Sequence, residues 1–522
     1  MTDSAEDSAA KKDSTPTTAG ASPRTPSLLA SWLVMGVMIA LILVAVSLFG
    51  GEVAGGALQV SMTLATIFAL AVAWFYGYRG SVISKALNSG VSGAIGTVFV
   101  VIAIGTVIGA LYLSGTVAAF VYYGVEIISP RFFYVTVFLI AAVLTVMVGS
   151  SLTTVGAVGI AFVGLANIVG VDPAIAAGAA VSGAVFGNKI AKISDTANLT
   201  VAQVGGGLTI AEHSRTVTRT AIPTIVISAI IYLAIGLFAT DTGGSVDVGQ
   251  VQDAISQSFN ISLLAFVPVV LIFVLSAMRV PAFLTLTVSA VFAVVLAGFT
   301  QHDLIVSIAD QGLSYTRAVI EVGIASLATG FELGSGNDQL DTLFSGGGVG
   351  SMLTTVWLVL VAAAFGAVVG YTGMLRTIVT PVINLCRGPV SLVLATMLST
   401  IGLDLGTADP YSSIVLSSEM FRNEYAKERL KPQLLSAAIA DSGTTVSHII
   451  PWNIHGALFA GTLGVAAVEW GPYTFFVLLT PFVTFAMIYF YSLGKNKIPA
   501  DQDAQKTYDD DPGTKRDPQL LA

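Results

Sequence analysis

The sequence predicts an all-α, polytopic membrane protein whose helices break at membrane depth, and three observations support this fold class. Of the 522 residues, 54% are hydrophobic and only 10% are charged, whereas about a quarter of the residues in a typical soluble domain are charged. Long apolar runs recur from residue 30 to residue 493. Shorter apolar segments between them are interrupted by Gly, Pro and ionisable residues. We therefore expect one continuous membrane domain.

The two ends of the chain are predicted to lie outside this domain. Residues 1–27 and 495–522 are polar and bury too little apolar surface to offset the entropy of ordering, which predicts two disordered cytoplasmic tails. The run from Leu28 to Phe49 lies too far from the start for a secretory signal, so we expect a retained membrane helix. The transmembrane domain is thus predicted to cover residues 28–494.

The membrane spans follow from the length of the apolar runs. A helix needs about 20 residues to cross a hydrocarbon core of about 30 Å. The runs that meet this requirement lie near 30–50, 56–77, 94–113, 132–149, 154–170, 221–239, 260–277, 281–299, 351–370, 389–403 and 474–493. Hairpins or broken helices are predicted instead at 115–128, 173–187, 318–333 and 434–464. Unpaired backbone cannot face lipid, so these segments should lie inside the protein or beside a water-filled cavity.

The distribution of charge predicts the orientation. Basic residues flank the ends of the membrane segments that the positive-inside rule places in the cytoplasm. These residues are Arg79, Lys85, Arg215, Arg219, Arg422, Lys427, Arg429, Lys431, Lys495 and Lys497. The segment 240–258 contains Asp but no Lys or Arg and should face outward. Both termini are then cytoplasmic, in a multi-pass protein of the cell membrane.

The same order of elements recurs in the two halves of the chain. Repeat one is predicted at about 92–240 and repeat two at about 350–494. The corresponding segments are 108–124 and 185–207 in the first half, and 365–375 and 439–465 in the second. Duplicated halves with interrupted segments at corresponding places are typical of secondary transporters, whose site lies at the repeat interface near the midplane. We predict that the repeats are inverted, which requires an odd number of spans between them.

The first polar cluster follows the apolar run 173–187. A carboxylate at membrane depth is costly, so one found there indicates function. Na+ is a hard cation that should favour oxygen ligands, and Asp195, Thr196 and Asn198 offer such oxygens within four residues. The alternative is a cytoplasmic loop, because Lys189 and Lys192 are close in sequence.

The second polar cluster lies within 434–464. Gly443 and Pro451 both interrupt regular helix, which frees backbone carbonyls and aims helix ends at an ion. Asp441 could carry either Na+ or a proton. His448 and His455 are seven residues apart and could titrate near neutral pH. The alternative for each histidine is a hydrogen-bonded packing residue.

A third group pairs 149–159 with 402–413. Packing explains the small and hydroxyl residues of the first segment. Asp404 and Asp409 of the second are stronger candidates for an ion site, although a solvated turn at Asp409-Pro410 equally explains Asp409.

Other function classes are excluded on sequence grounds. The chain contains no Walker-type phosphate loop, H-E-x-x-H motif or nucleophile elbow, which argues against an enzyme or an ATP-driven pump. Its net charge of -8 is spread over loops and tails and forms no stripe for nucleic acid. Cys386 is the only cysteine, so an intramolecular disulfide is impossible.

Both polar clusters resemble motifs of the NhaC family of Na+/H+ antiporters, in the ion transporter superfamily. The first is similar to that family's G-D-K-x-S-P-L-S-D-T-T-N pattern through Gly187, Asn188, Lys189, Ser194, Asp195, Thr196 and Asn198. The second is similar to its D-x-G-T-x-x-S-x-x-x-P-W-N-x-x-G-A stretch through Asp441, Gly443, Thr444, Ser447, Pro451, Trp452, Asn453, Gly456 and Ala457. The resemblance extends over most of the membrane domain.

The departures from these patterns leave a second function open. Asn188 stands in place of the usual aspartate, Lys192 and His448 in place of prolines, Ala197 in place of a threonine, and His455 in place of a small residue. Because the family is also similar to carriers of lactate, malate and amino acids, the resemblance implies Na+ coupling more firmly than plain Na+/H+ exchange. The alternative is therefore a Na+-coupled carrier of a small organic acid or amino acid.

The leading hypothesis is a secondary active transporter that exchanges Na+ for H+ by alternating access. Asp195 and Asp441 are the predicted carriers of Na+ or the proton. The predicted oxygen ligands are Ser194, Thr196, Asn198, Asn188, Thr444, Ser447 and Asn453; the predicted proton or substrate contacts are His448, His455 and Lys192. Na+ itself is placed at Asp195, Asn198, Asp441 and Thr444. No cofactor is expected besides the transported ions, and the partners are Na+, H+ and the bilayer, with an organic or amino acid and a second copy of the chain left open.

Overall fold

The computed structural model describes residues 23–238, 248–336 and 338–493. Within these residues the predicted all-α fold is confirmed, since the β pairing is limited to one isolated bridge between Phe331 and Gly346. The C-terminal tail, most of the N-terminal tail and part of the acidic segment 240–258 lie outside the described residues, so the predictions made for them remain predictions.

The helices of the first half, up to residue 238, are α1 (Leu28–Phe49), α2 (Ala57–Phe75), α3 (Gly80–Leu113), α4 (Thr116–Ile127), α5 (Phe133–Val148), α6 (Ser151–Thr154), α7 (Ile160–Ile168), α8 (Pro173–Ile190), α9 (Asp195–Val204) and α10 (Ile210–Phe238). One π-helical turn, Val155–Gly159, joins α6 to α7.

The remaining helices are α11 (Val248–Ser258), α12 (Val267–Ala277), α13 (Ala282–Thr300), α14 (His302–Ile308), α15 (Tyr315–Ala328), α16 (Asp338–Leu343), α17 (Gly348–Tyr371), α18 (Met374–Asn384), α19 (Pro389–Thr407), α20 (Pro410–Lys427), α21 (Pro432–Ala440), α22 (Gly443–Val446), α23 (Ile454–Leu463), α24 (Ala467–Trp470) and α25 (Phe475–Leu493).

The membrane-spanning prediction is confirmed by length and composition. In the described part of the chain, nine helical segments are long and apolar enough to cross a bilayer, and three bent helix pairs raise the number of crossings to as many as 12. The pairs bend by 44° between α8 and α9, by 83° before α12 and by 51° before α25. The protein is therefore a multi-pass membrane protein whose helices include broken ones.

Glycines end the long helices at corresponding places in the two halves. Gly115 lies between α3 and α4 with φ 71°, and Gly373 lies between α17 and α18 with φ 75°. The left-handed conformation costs a residue with a Cβ about 1 kcal/mol or more, so glycine suits both positions. Gly149 after α5 and Ala408 after α19 also have positive φ. The order of breaks is thus the same in both halves, while the inversion of the repeats remains a prediction.

A second shared feature is the capped helix that follows the polar break. Ser194 caps α9 by accepting a hydrogen bond from the backbone N–H of Ala197. Asn453 caps α23 by accepting one from the N–H of His455. The polar residues of both clusters therefore lie where one helix stops and another begins, which is where backbone groups are left free.

Candidate functional site

The centre of the site is Asp441, which lies at the break between α21 and α22. The residue closes α21, and Ser442 after it leaves the helical region with φ -117° and ψ -97°. The Asp441 side chain is fully buried. A buried carboxylate beside an interrupted helix is the arrangement that ion carriers use.

Three helices supply the groups that contact this carboxylate. Lys189, in the last turn of α8, forms an ion pair in which Nζ lies 2.7 Å from Asp441 Oδ1. The hydroxyls of Thr220 on α10 and Thr484 on α25 each donate a hydrogen bond of 2.7 Å to Oδ2. Asp441 is therefore bound across α8, α10 and α25, which places one carboxylate at the junction of both halves.

Lys189 is buried with its partner. Its Nζ lies 5.6 Å from the centre of the Phe476 ring, which favours a cation. Apart from the ion pair with Asp441, the ammonium has no hydrogen-bond partner among the described residues. Removing one member of a buried ion pair lowers the free energy of unfolding by about 3–5 kcal/mol, because the other charge stays buried without a partner. Any process that separates this pair must therefore supply another cation or remove the charge.

A small polar cavity of about 20 Å³ adjoins the ion pair. Its polar lining consists of Asn188, Lys189, Thr196, Thr200, His213, Thr444, Thr445 and His448. Asn188 Oδ1 and Thr444 Oγ1 are buried there without a hydrogen-bond partner. A volume of this size holds about one water-sized species. The cavity therefore offers unused oxygen atoms for one small cation next to Lys189.

A larger cleft of about 540 Å³ lies on the other side of α9. Asp195, Asn198 and Lys192 line this cleft, together with Ser150, Thr153 and Arg279. The spacing of Asp195 and Asn198 places them on one face of α9, while Thr196 and Thr200 face the cavity. Helix α9 therefore separates the larger cleft from the small buried cavity.

The predicted Na+ ligands are consequently divided between two compartments. Asp441 and Thr444 lie at the ion pair and the cavity, whereas Asp195 and Asn198 lie in the cleft. Asp195 is exposed, and its Oδ2 accepts a hydrogen bond of 2.7 Å from the Tyr411 hydroxyl. The structure therefore does not place these four side chains around one ion.

The remaining predicted ligands of the first cluster serve mainly to build the turn before α9. The hydroxyls of Ser194 and Thr196 lie 3.0 Å apart, and Asn198 Nδ2 donates to Ser194 O at 2.7 Å. Asn188 Nδ2 lies 3.5 Å from Thr196 Oγ1. Among these residues, Asn188 and Thr196 are the ones whose side chains reach the cavity.

The two histidines of the second cluster form a buried stack. The rings of His448 and His455 are 4.4 Å apart at an interplanar angle of 19°. Ser447 Oγ lies 3.4 Å from Nδ1 of His448 and 3.3 Å from Nδ1 of His455. His448 Nε2 lies 3.3 Å from Ser151 Oγ, at the start of α6. The stack therefore connects the cavity, which His448 lines, with the start of α6.

The acids of the third group have different environments. The Asp409 carboxylate caps α20 by accepting hydrogen bonds from the N–H groups of Tyr411 and Ser412, and the turn interpretation explains it. Asp404 is fully buried, and neither of its carboxylate oxygens has a hydrogen-bond partner. Asp404 is therefore the acid that local structure leaves unexplained.

Sequence reasoning missed Thr220, Thr484 and His213. The two threonines hold Asp441, and His213 reaches the cavity through α10. Each lies in an apolar or ordinary helical stretch far from both clusters, so the sequence contains no signal for them. Only the packing of α10 and α25 against the break brings them together.

Comparisons with known protein sequences cover most of the chain. The sequence model of a family described as the Na+/H+ antiporter family matches residues 184–491, which include both polar clusters. The Na+/H+ antiporter NhaC of Alkalihalophilus pseudofirmus is 33% identical over 87% of this chain and 93% of that protein. NhaC of Bacillus subtilis is 28% identical over 82% of this chain and 91% of that protein. The malate-2H+/Na+-lactate antiporter of Bacillus subtilis is 26% identical over 90% of this chain and 95% of that protein.

Proposed function

Because the chain belongs to the Na+/H+ antiporter family, we propose that it exchanges Na+ for H+ across the cell membrane by alternating access, with Lys189 and Asp441 as the exchange site. The observation that carries this proposal is the buried ion pair of 2.7 Å beside a cavity with unpartnered oxygens. This assignment keeps Asp441 as a carrier and adds Lys189 as the group that holds the proton.

The exchange step follows from charge balance in a buried site. Without Na+, the Lys189 ammonium neutralises Asp441. When Na+ enters, it binds the Asp441 carboxylate with Asn188 Oδ1 and Thr444 Oγ1 as further oxygen ligands. Lys189 then loses its anionic partner, and a buried ammonium without a partner releases its proton. One positive charge replaces another, so the site keeps the same net charge in both forms.

Access to the site depends on α9. We infer that the cleft is the cytoplasmic access route, because the basic residues Lys192 and Arg279 line it and the positive-inside rule places such residues in the cytoplasm. Both termini are then cytoplasmic, as the basic residues along the chain also favour. The hydrogen bond between Asp195 on α9 and Tyr411 on α20 holds α9 against a helix of the second half. A shift of α9 away from α20 would join cleft and cavity.

Exchange is tested by a Na+ pulse on proteoliposomes that carry the purified protein and an internal pH dye. We expect Na+-driven proton movement in the wild type and its loss in the Asp441→Asn variant, because a carboxamide is neutral and cannot hold Na+ and Lys189 in turn. Proton movement of wild-type size in Asp441→Asn would contradict the proposed site. An Asp303→Asn variant is the control, since Asp303 is fully exposed and lies outside the site.

Asp195→Asn is expected to have a much smaller effect than Asp441→Asn. The carboxylate is exposed, and an asparagine oxygen can still accept the hydrogen bond from Tyr411. Loss of one exposed charge near the access route should raise the apparent KM for Na+ about two- to threefold, because exposed charges act at less than about 1 kcal/mol. The KM is measured with the same pH dye over a series of Na+ concentrations. Complete loss of exchange would instead place Asp195 in the ion site.

A second candidate is Na+-coupled exchange of a small organic anion. The cleft of about 540 Å³ is large enough for such a molecule, and Lys192 and Arg279 could bind a carboxylate. The similarity to the malate-2H+/Na+-lactate antiporter also favours it. Saturable, Na+-dependent uptake of labelled lactate or malate, reduced in Lys192→Gln, would support this candidate. Absence of uptake beside active Na+/H+ exchange would exclude it.

A further inference from the structure

Asp404 is a buried acid that the exchange site does not use. It lies in the last turn of α19, its side chain is 0% exposed, and both carboxylate oxygens lack a hydrogen-bond partner. No Lys or Arg side chain in the described part of the chain forms an ion pair with it. An ionised carboxylate in such a place is unfavourable by several kcal/mol or more. Asp404 must therefore carry a proton or hold a cation.

The neighbouring groups favour a proton over a metal ion. Ser413 and Asn453 approach the Asp404 carboxyl group. Asn453 Oδ1 is occupied by the N–H of His455, so the free end of that amide is Nδ2, a donor that would repel a cation. The Ser413 hydroxyl donates to Pro410 O and keeps lone pairs free to accept. A neutral carboxylic acid can donate to Ser413 and accept from Asn453, and this would satisfy all three groups.

The corresponding position in the first half shows that packing does not require an acid. Asp404 lies four residues before Ala408, and Thr145 lies four residues before Gly149, the two positive-φ residues that end α19 and α5. A Cβ on Gly187 would lie 2.5 Å from Thr145 Cβ, and a Cβ on Gly443 would lie 2.5 Å from Asp404 Oδ2. Each residue thus packs against a glycine close to the polar break, Gly187 in the last turn of α8 and Gly443 at the start of α22. Since threonine fills this role in one half, the carboxyl group in the other half needs a different reason.

We propose that Asp404 is a second proton-carrying site, so that the protein moves two protons for each Na+. This proposal rests on the proposed exchange at Lys189 and Asp441, which moves one proton for one Na+. Asp404 contacts Gly443 directly, and the break that contains Gly443 begins at Asp441. A movement of this break therefore changes the surroundings of both acids together. Titratable groups on the elements packed against α19 include Asp409, Tyr411 and Tyr425 on α20, Asp441 at the end of α21 and His448 after α22.

The test is carried out in proteoliposomes across which a known pH gradient is imposed. It measures the Na+ concentration gradient at which the net flux of Na+ stops. With the membrane potential held at zero by valinomycin and equal K+, two protons per Na+ balance a Na+ gradient of about 100-fold per pH unit, and one proton balances about tenfold. We expect about 100-fold for the wild type and about tenfold for Asp404→Asn, because asparagine mimics the protonated acid but cannot release a proton. An imposed potential should shift wild-type flux and leave Asp404→Asn flux unchanged.

Labelled Na+/Na+ counterflow provides the second readout, since it requires only the site at Asp441. Asp404→Asn should retain counterflow. The Asp303→Asn control should retain both counterflow and the coupling ratio of the wild type. Three results would each overturn the proposal. The first is a balancing Na+ gradient of only tenfold per pH unit in the wild type, and the second is the same balancing gradient in Asp404→Asn as in the wild type. The third is loss of Na+/Na+ counterflow in Asp404→Asn. Failure of the exchange mechanism would be recognised separately, as proton movement that persists in Asp441→Asn.

Discussion

Replacing Lys189 by Met is expected to remove the proton that exchanges with Na+ at Asp441 and to make the stability of the protein depend on Na+. The substitution removes the ammonium that lies 2.7 Å from Asp441 and leaves a side chain of similar length. The buried carboxylate then lacks a counter-charge, which should lower the free energy of unfolding by about 3 kcal/mol in the absence of Na+. Na+ in the cavity restores the missing charge, and at about 100 times its Kd it should return about 2.7 kcal/mol.

The measurement is the melting temperature of the detergent-solubilised variant in NaCl and in choline chloride at equal ionic strength. We expect a large Na+-dependent difference in Lys189→Met and a small one in the wild type, whose Lys189 already neutralises Asp441. The same variant should keep labelled Na+/Na+ counterflow and lose the proton that Lys189 carries, so that at most the proton assigned to Asp404 still moves with Na+. Lys192→Met is the matched control, because Lys192 is exposed in the cleft. Equal Na+ dependence in the wild type and Lys189→Met would show that Na+ does not take the place of the ammonium.

Adding a single methyl group at Gly443 is expected to disrupt the packing of the break between α21 and α22 against α19. A Cβ there would lie 2.5 Å from Asp404 Oδ2 and 2.8 Å from the backbone oxygen of Thr400, and the backbone atom cannot move aside easily. Overpacking of this kind costs about 1–3 kcal/mol in well-packed interiors. The methyl group would also push α22 away from α19, and Thr444 in α22 lines the cavity. Gly443→Ala should therefore lower both the melting temperature and the rate of Na+/H+ exchange.

The control for this prediction is Gly402→Ala in α19. A Cβ at Gly402 meets no atom within 4 Å, and alanine favours a helix over glycine by about 1 kcal/mol. We expect Gly402→Ala to be neutral or stabilising and to transport at the wild-type rate. Equal melting temperatures and exchange rates in Gly443→Ala and Gly402→Ala would contradict the prediction that close packing restricts substitution at Gly443.

The alternating pattern of apolar runs and interrupted segments was sufficient to predict the class of fold. Hydrophobic length sets where a helix can cross a bilayer, and this depends on local sequence alone. The same holds for the interrupted segment predicted at 115–128, which begins at Gly115, since a positive φ is a local property of glycine. Boundaries were less accurate: α3 begins at Gly80 and α10 at Ile210, because polar ends of long helices extend beyond the apolar run.

The composition of the site was only partly predictable. Asp441 and Thr444 are candidates from the sequence because an acid and a hydroxyl beside a glycine are unusual in an apolar segment; their role as ion ligands stays a prediction. The sequence position of Lys189 is compatible with a membrane edge, but the structure buries the side chain, which is 7% exposed, and pairs it with an acid 252 positions later in the chain. The sequence offers Asp195 and Asp441 as equivalent carriers, but the two acids lie on different sides of α9. Sequence spacing could not distinguish the faces of helices whose neighbours were unknown.

The sequence by itself determined that this chain is a helical membrane protein with two polar breaks and supplied the oxygen-bearing residues from which an ion site can be built. The tertiary structure decided which of these residues meet. It brought Lys189 to Asp441, added Thr220 and Thr484 from distant helices, and left Asp404 buried without a counter-charge. The physical reason is that hydrophobicity and helix breaking act through neighbours in the chain, whereas the balance of buried charges depends on contacts between helices far apart in sequence.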